Sequence, residues 1–280
     1  LDQYPEATTL GEISSEDSLA TMGEYVNDQR LHMGYSFELL TDDFTAAYIR
    51  GTVEDLEMKM ADGWPCWAIS NHDVQRAVTR WGGSSASAGF AGQLVALVCS
   101  LRGSVCLYQG EELGLGEAEV PYEALQDPYG KTFWPNFKGR DGCRTPMPWD
   151  AEPQAGFTTG EPWLPIPAAH RAQAVSRQEL EPTSTLNATC TFLHWRKTLP
   201  ALQWGSIEFL DAPEPVLVFT RHHADQSLLV AFNLSANAVQ WEIPDGLQLK
   251  ELQGHGLLSG EVRDGNLHLP AHAVLFASLA

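Results

Sequence analysis

The sequence predicts an α/β unit over residues 1–200 followed by an antiparallel all-β domain over residues 201–280. Three observations carry that expectation. Short apolar segments alternate with helical patterns four times before Pro200; the apolar segments end in polar residues; and beyond Pro200 the pattern changes to short strand-like runs broken by Pro-Asp-Gly, Gly-His-Gly and Asp-Gly. Four strand–helix repeats fit half of a (β/α)8 barrel, where functional groups project from strand C-termini. A doubly wound open sheet gives the same alternation, and periodicity leaves both architectures open.

In order, the first strand is expected at Ala7–Ile13, with Ser15-Glu16-Asp17 capping a helix that runs to about Tyr25. The apolar segment His32–Leu40 precedes a helical run from about Phe44 to Met60, and Cys66–Ser70 leads into Asn71-His72-Asp73. Gly89–Leu101 reads as a long, largely apolar helix, and Ser104–Tyr108 as a fourth strand opening onto Gln109-Gly110-Glu111-Glu112. Val120–Pro167 is rich in Pro, Gly and aromatic residues and shows no period; a helix starting at Ser184 or Thr185 runs to Lys197. The domain boundary is expected near Pro200–Ser206. Strands are then expected at Ile207–Leu210, Val216–Arg221, Ser227–Asn233, Val239–Ile243, Leu247–Leu252 and Val274–Leu279, forming an antiparallel sandwich.

Composition narrows the function. A hydrophobic share of 44% with 10% aromatics fits a folded globular chain. The net charge of −19 is spread along the sequence and would repel nucleic-acid phosphates and anionic lipid surfaces, so neither is an expected partner. No apolar run reaches membrane-spanning length, and Leu1–Thr9 lacks the pattern of a signal peptide. Five cysteines without close spacing favour a reducing compartment, and the expected location is cytoplasmic. Cys99 and Cys106 read as small buried hydrophobes. No CxxC or HExxH spacing suggests zinc, and no cofactor or metal is expected in this segment.

Two places carry chemistry. A lone Glu12 at a strand end more often caps a helix or carries surface charge. Asn71-His72-Asp73 is more informative, because three consecutive polar residues at a strand end are costly to bury unless each has a partner. Taken together, the two carboxylates end strands of one repeating unit, separated by one intervening strand, so a barrel would bring both to one mouth. Glycoside hydrolysis needs an acid to protonate the leaving oxygen and further carboxylate against the positive charge at the anomeric carbon. Glu12 and Asp73 could fill two such roles.

Gly11-Glu12-Ile13-Ser14, Asn71-His72-Asp73, Tyr108-Gln109-Gly110-Glu111-Glu112-Leu113-Gly114 and Gly139-Arg140-Asp141-Gly142-Cys143-Arg144-Thr145-Pro146-Met147-Pro148-Trp149-Asp150 occur in that order. This series resembles the later signature regions of the α-amylase superfamily (glycoside hydrolase family 13), above all its α-glucosidase and oligo-1,6-glucosidase branch. Asp127-Pro128-Tyr129-Gly130 and Gly156-Phe157-Thr158-Thr159-Gly160 also fit that branch. The resemblance implies strands 5 to 8 of a TIM barrel followed by the C-terminal β domain. It implies that Glu12 is the general acid/base, that Asp73 stabilises the transition state and holds ring hydroxyls, and that His72 bonds the same hydroxyls. Arg140 or Arg144 matches an arginine closing the nonreducing end of the glucose pocket. Phe37 falls where the branch lines the leaving-group side, with ordinary core packing as the competing reading. Glu111 and Glu112 are read as support for the fourth strand's loop, and Trp64, Trp67, Trp134 and Trp149 as core or loop packing.

The family's nucleophile is an aspartate on the barrel strand before the one that ends in Glu12. Only Leu1–Gly11 precedes Glu12, and Asp2, the sole aspartate there, stands too close to Ala7 for a helix to intervene. The chain alone is therefore expected to lack the nucleophile and to be inactive. Its expected partners are a small oligosaccharide or glucoside substrate and the complementary N-terminal half of the barrel. The implied activity is retaining release of terminal α-linked glucose, with transglucosylation as a variant. A sucrose-directed transglycosylase of the same family and a non-catalytic binding relative are the alternatives.

Overall fold

The computed structural model describes residues 3–4, 6–27, 29–60, 63–83 and 87–279; Asp2 lies outside them. The first part runs β1 (Leu10–Glu12), α1 (Ser18–Tyr25), β2 (Met33–Ser36), α2 (Ala46–Met60), β3 (Pro65–Trp67), α3 (Ala77–Gly82), α4 (Ala88–Ser100) and β4 (Ser104–Val105). The four strands are parallel and lie in the order β1-β2-β3-β4, with Glu12 opposite Tyr35, Tyr35 opposite Cys66 and Cys66 opposite Ser104. That order decides between the two architectures. A doubly wound sheet reverses its strand order at a switch point, whereas consecutive neighbours are an arc of a barrel wall. Met22 of α1, Ile49 and Leu56 of α2 and Leu94 and Val98 of α4 share one core with Trp67 and Ile69.

Helix starts follow capping chemistry. Asp17 caps α1 through the Ala20 amide at 3.1 Å and is also bound by Lys59 of α2, and Ser87 caps α4 through the Phe90 amide. The strands are shorter than the apolar runs that announced them. All of Cys66–Ser70 is buried, but only Pro65–Trp67 pairs with neighbours. Burial sets the run, and hydrogen-bonded register sets the strand. Cys99 is buried, but Cys106 is exposed, contrary to its sequence reading. It follows the edge strand β4 and, by the two-residue alternation, shares the sheet face of Cys66 and Glu12, opposite the helices.

After β4 the chain forms two 3-10 turns (Tyr122–Ala124, Asp141–Cys143) and the short helices α5 (Pro128–Phe133), α6 (Ala168–Ala172) and α7 (Val175–Gln178). Then come α8 (Thr185–Arg196), capped by Ser184, and α9 (Pro200–Trp204). The stretch read as aperiodic, Val120–Pro167, thus contains one six-residue helix and two 3-10 turns, all too short to show a period. The β domain comprises β5 (Ser206–Phe209), β6 (Val216–His223), β7 (Gln226–Asn233), β8 (Val239–Glu242), β9 (Leu249–Glu251), β10 (Glu261–Arg263), β11 (Asn266–Leu269) and β12 (Val274–Leu279). Its two antiparallel sheets are ordered β5-β6-β7-β12-β9 and β10-β11-β8. The β10–β11 hairpin escaped the sequence reading although its turn, Asp264-Gly265, carries the expected signal. Both residues have positive φ, 52° and 76°, as a tight primed turn requires.

The five-stranded sheet serves two cores by alternation. Leu217, Phe219, Leu228, Val230, Phe232 and Phe276 face the barrel helices, while Val218, Leu229, Ala231 and Leu275 face Trp241, Leu267 and Leu269. Polar ties cross the first of these contacts. Fully buried Arg221 donates to the carbonyls of Ser100, Leu202, Gly205 and Ser206, so one guanidinium satisfies the C-terminal ends of α4 and α9. The Gln93 amide donates to Asn233 O, and the Glu214 carboxylate accepts from the Ala46 and Ala47 amides at the start of α2. Among the described residues, no helix is long and apolar enough to cross a membrane.

Two buried titratable groups pin the long loop. His170 is 3% exposed; its Nε2 lies 2.9 Å from Gly116 O and its Nδ1 3.2 Å from Thr145 Oγ1, a neutral tautomer that donates at Nε2. Burial, with Arg76 nearby, pushes its pKa down to about 4. Glu111 accepts the Tyr108 amide, and burial pushes its pKa up to about 8. Glu112 accepts the Gly110 amide at 2.8 Å.

Replacing Arg221 by Met leaves its carbonyls without a donor and should destabilise the protein by about 3 kcal/mol in urea unfolding. Stability should also change on both sides of a pH maximum. Between pH 6.5 and 4 the unfolded chain takes up a proton at His170 that the folded one refuses, so the His170 contribution falls on acidification, on the order of 3 kcal/mol by its end. Between pH 4.5 and 8 the folded chain keeps a proton on Glu111 that the unfolded one releases, so the Glu111 contribution falls on alkalinisation; the two oppose each other where the windows overlap and leave a broad maximum there. His170→Gln should flatten the acid side and Glu111→Gln the alkaline side in unfolding measured across pH.

Candidate active site

The C-terminal end of the parallel sheet gathers the polar residues. Glu12 ends β1 with an exposed side chain, and among the described residues its carboxylate accepts no hydrogen bond. Two strand spacings away, roughly 10 Å, β3 leads through Ala68, Ile69 and Ser70 into Asn71-His72-Asp73. The Asn71 side chain accepts the Asp73 amide at 2.8 Å, a local turn that fixes where Asp73 points. Between them on β2, Tyr35 is buried beside the Asn71 side chain, and burial raises its hydroxyl pKa to about 12, so it remains a neutral phenol. Phe37 follows β2 half-buried, with its ring edge-on to Tyr35 at 5.0 Å.

Asp73 is held by both candidate arginines. Arg140 Nη1 lies 3.0 Å and Arg144 Nη2 2.8 Å from the same oxygen, Oδ1, and Arg144 Nε donates to the His72 carbonyl at 2.6 Å. His72 Nε2 stands 3.7 Å from that Oδ1, and its side chain is 63% exposed. Among the described residues Asp73 Oδ2 accepts no hydrogen bond, so one carboxylate oxygen is fixed and the other is open to a ligand. The sequence could not choose between Arg140 and Arg144 because both lie in one loop. The fold brings both to Asp73.

The arginines have different supports. Arg140 also pairs with Asp127, whose side chain is fully buried and whose pKa is lowered to about 2, first of all by the hydrogen bond from Arg140. Arg76, three residues beyond Asp73, is 2% exposed and donates to the carbonyls of Gln109 and Cys143. Its own amide donates to Glu117. It therefore ties the β3 loop to the β4 loop. Neither Asp127 nor Arg76 was singled out for a role from sequence, although the Asp127-Pro128-Tyr129-Gly130 motif was visible. A cavity of about 420 Å³ opens beside Arg140, lined by Asp73, Gln75, Glu119, Phe137 and Lys138 among others.

Trp67 is fully buried and donates to Arg102 O, and Trp64 donates to Ser104 Oγ, whereas Trp134 and Trp149 stand at the surface. Among the described residues no three His, Cys, Asp or Glu side chains gather in a way that could hold a metal ion. What the mouth offers is an oriented carboxylate with one open oxygen, a second carboxylate two strands away, and imidazole and guanidinium donors. That set suits neutral polyhydroxylated ligands.

Comparison with known proteins gives the family of the chain. The α-amylase catalytic domain family matches residues 1–205, and the maltogenic amylase C-terminal domain family matches residues 207–275. A probable α-glucosidase of Rhizobium meliloti is 45% identical over all of this chain and 51% of its own length. An oligo-1,6-glucosidase of Heyndrickxia coagulans is 30% identical over 88% of this chain and 50% of its own. The crystal structure of an α-glucosyl transfer enzyme, XgtA, superposes with a TM-score of 0.97 at 61% identity, over 100% of this chain and 52% of that one. The chain thus spans about half the length of these relatives. It belongs to the α-amylase family, glycoside hydrolase family 13, in the α-glucosidase and oligo-1,6-glucosidase branch.

Proposed function

We propose that this chain supplies the acid/base half of a retaining α-glucosidase acting on terminal α-linked glucose in short saccharides or glucosides. The observation that carries the reading is Asp73: a carboxylate clamped through one oxygen by two arginines, at the same sheet end as Glu12. In this reading the complementary N-terminal half brings the nucleophilic carboxylate. That carboxylate attacks the anomeric carbon while Glu12 gives its proton to the departing glycosidic oxygen. The resulting glycosyl ester is then opened by water, which Glu12, now a carboxylate, deprotonates. Asp73 Oδ2 accepts hydrogen bonds from ring hydroxyls and opposes the positive charge that develops at the anomeric carbon. His72 and Arg144 bracket the same hydroxyls, and Phe37 lines the leaving-group side.

A second reading is favoured by the 61% identity to an α-glucosyl transfer enzyme. In the second step an acceptor alcohol replaces water, Glu12 takes its proton, and a new glucoside forms. The two readings share every step up to the glycosyl ester.

In a full-length protein that contains this chain, Glu12→Gln should lower kcat on p-nitrophenyl α-glucoside by about 10²–10⁴-fold and leave glucose binding intact. Asp73→Asn should lower kcat and weaken binding together. Unchanged turnover in Glu12→Gln would reject the assignment. This 280-residue chain assayed by itself should release no p-nitrophenol, and clear turnover would overturn the division of labour. Product analysis with maltose and an added alcohol separates free glucose from glucoside products, and so hydrolysis from transfer.

A further inference from the structure

The motif Asp127-Pro128-Tyr129-Gly130 opens α5, away from the sheet, and the mechanism above gives it no part. Its first residue accepts four donors. Asp127 Oδ2 takes the Arg140 amide at 2.8 Å and Arg140 Nε at 2.9 Å, and Oδ1 takes Arg140 Nη2 at 3.2 Å and the Tyr129 amide at 3.1 Å. The guanidinium also lies over the Tyr129 ring, 5.5 Å from its centroid. With Nε and Nη2 committed to Asp127, the remaining nitrogen, Nη1, points to Asp73 Oδ1. Asp127 is anchored in turn, because Asp141 Oδ2 accepts the amides of Gln126 and Asp127.

The backbone is shaped for this contact. Gly139 has φ +77°, and a Cβ there would stand 2.8 Å from Gly130 Cα and 3.0 Å from Asp127 Oδ2. A Cβ on Gly130 would stand 2.5 Å from Lys138 O. The start of α5 and the segment carrying Arg140 therefore meet backbone to backbone. That approach brings Arg140 within reach of both Asp127 oxygens, and the two form a fork–fork pair.

Building on the proposed function, we infer that Asp127 is a positioning residue: it locks the Arg140 guanidinium so that Nη1 holds one oxygen of Asp73 and leaves the other for substrate. Asp127 touches no substrate and acts only through Arg140. An Asn at 127 cannot hold both nitrogens of the fork, because one of its two heads is itself a donor.

The test is a double-mutant cycle on the full-length enzyme containing this chain, with kcat, KM and Tm measured for Asp127→Asn, Arg140→Lys and the pair. Asp127→Asn should lower kcat by roughly ten- to a hundred-fold with a smaller change in KM, since it misplaces a group rather than deleting one. Arg140→Lys, which keeps the charge without the fork, should do the same. The double variant should be no worse than Arg140→Lys alone. Wild-type kcat in Asp127→Asn, or losses that multiply in the double variant, would overturn the inference. If Asp127→Asn does not fold, Arg140→Lys decides: a wild-type kcat there removes the fork from the mechanism. An inactive wild type overturns the functional reading and this inference together, whereas an active wild type with an indifferent Asp127→Asn overturns this inference alone.

Discussion

Four parallel strands laid down in consecutive order must each be reached by a crossover, and here the crossover helices share one core behind one face of the sheet. Everything about the mouth follows from that constraint. The strand C-termini lie side by side at one end, and the loops leaving them can meet without crossing the helical layer. The strands themselves are two to four residues long and contribute few ladder hydrogen bonds. Their positions are held by what packs behind them: α4, apolar on nearly every side, fits between the strands and the β domain. A rigid back layer permits long, irregular loops in front.

In those loops electrostatics is local. The chain carries a net charge of −19, yet the carboxylate at the centre of the candidate site is met by two guanidinium groups. Asp73 is about half exposed, so water screens these contacts, and their value lies in direction rather than in energy. The buried partner is Asp127, where the fork geometry is complete and solvent is excluded. Strength at the hidden end of the Asp127–Arg140–Asp73 chain therefore sets orientation at the open end.

The architecture was legible because its signals are short-range. Apolar runs, caps such as Asp17 and Ser184, and the change of period after Pro200 each depend on a few neighbouring residues. Barrel against open sheet was not legible from periodicity, since strand order is a long-range property; the ordered motifs supplied that choice. Asn71-His72-Asp73 stood out because three polar residues ending an apolar strand are locally unusual, whereas Glu12 gained meaning only beside them and from the ordered motifs. Asp127 and Arg76 act across 13 and about 67 residues of sequence, and nothing beside them in the chain announces their partners. Cys106 was misread for a related reason: an apolar neighbourhood says that a strand is near, not which of its faces is covered.

The double-sided sheet of the β domain has a consequence for how this protein can vary. Val218 and Phe219 are adjacent in β6 yet belong to different cores, and the same holds for Leu275 and Phe276 of β12. One face is matched to α4 and α8, with Arg221 and Gln93 reaching across. Such a domain is no interchangeable cassette. A donor from another branch would arrive with its sandwich intact and its inward face cut to a different set of helices. Grafts and recombination points should survive best at the β10–β11 hairpin, whose Val262, Leu267 and Leu269 pack in the outer core, and worst at the junction between α9 and β5. Inheritance of the two units is then expected to be joint, with drift in one answered by repacking in the other.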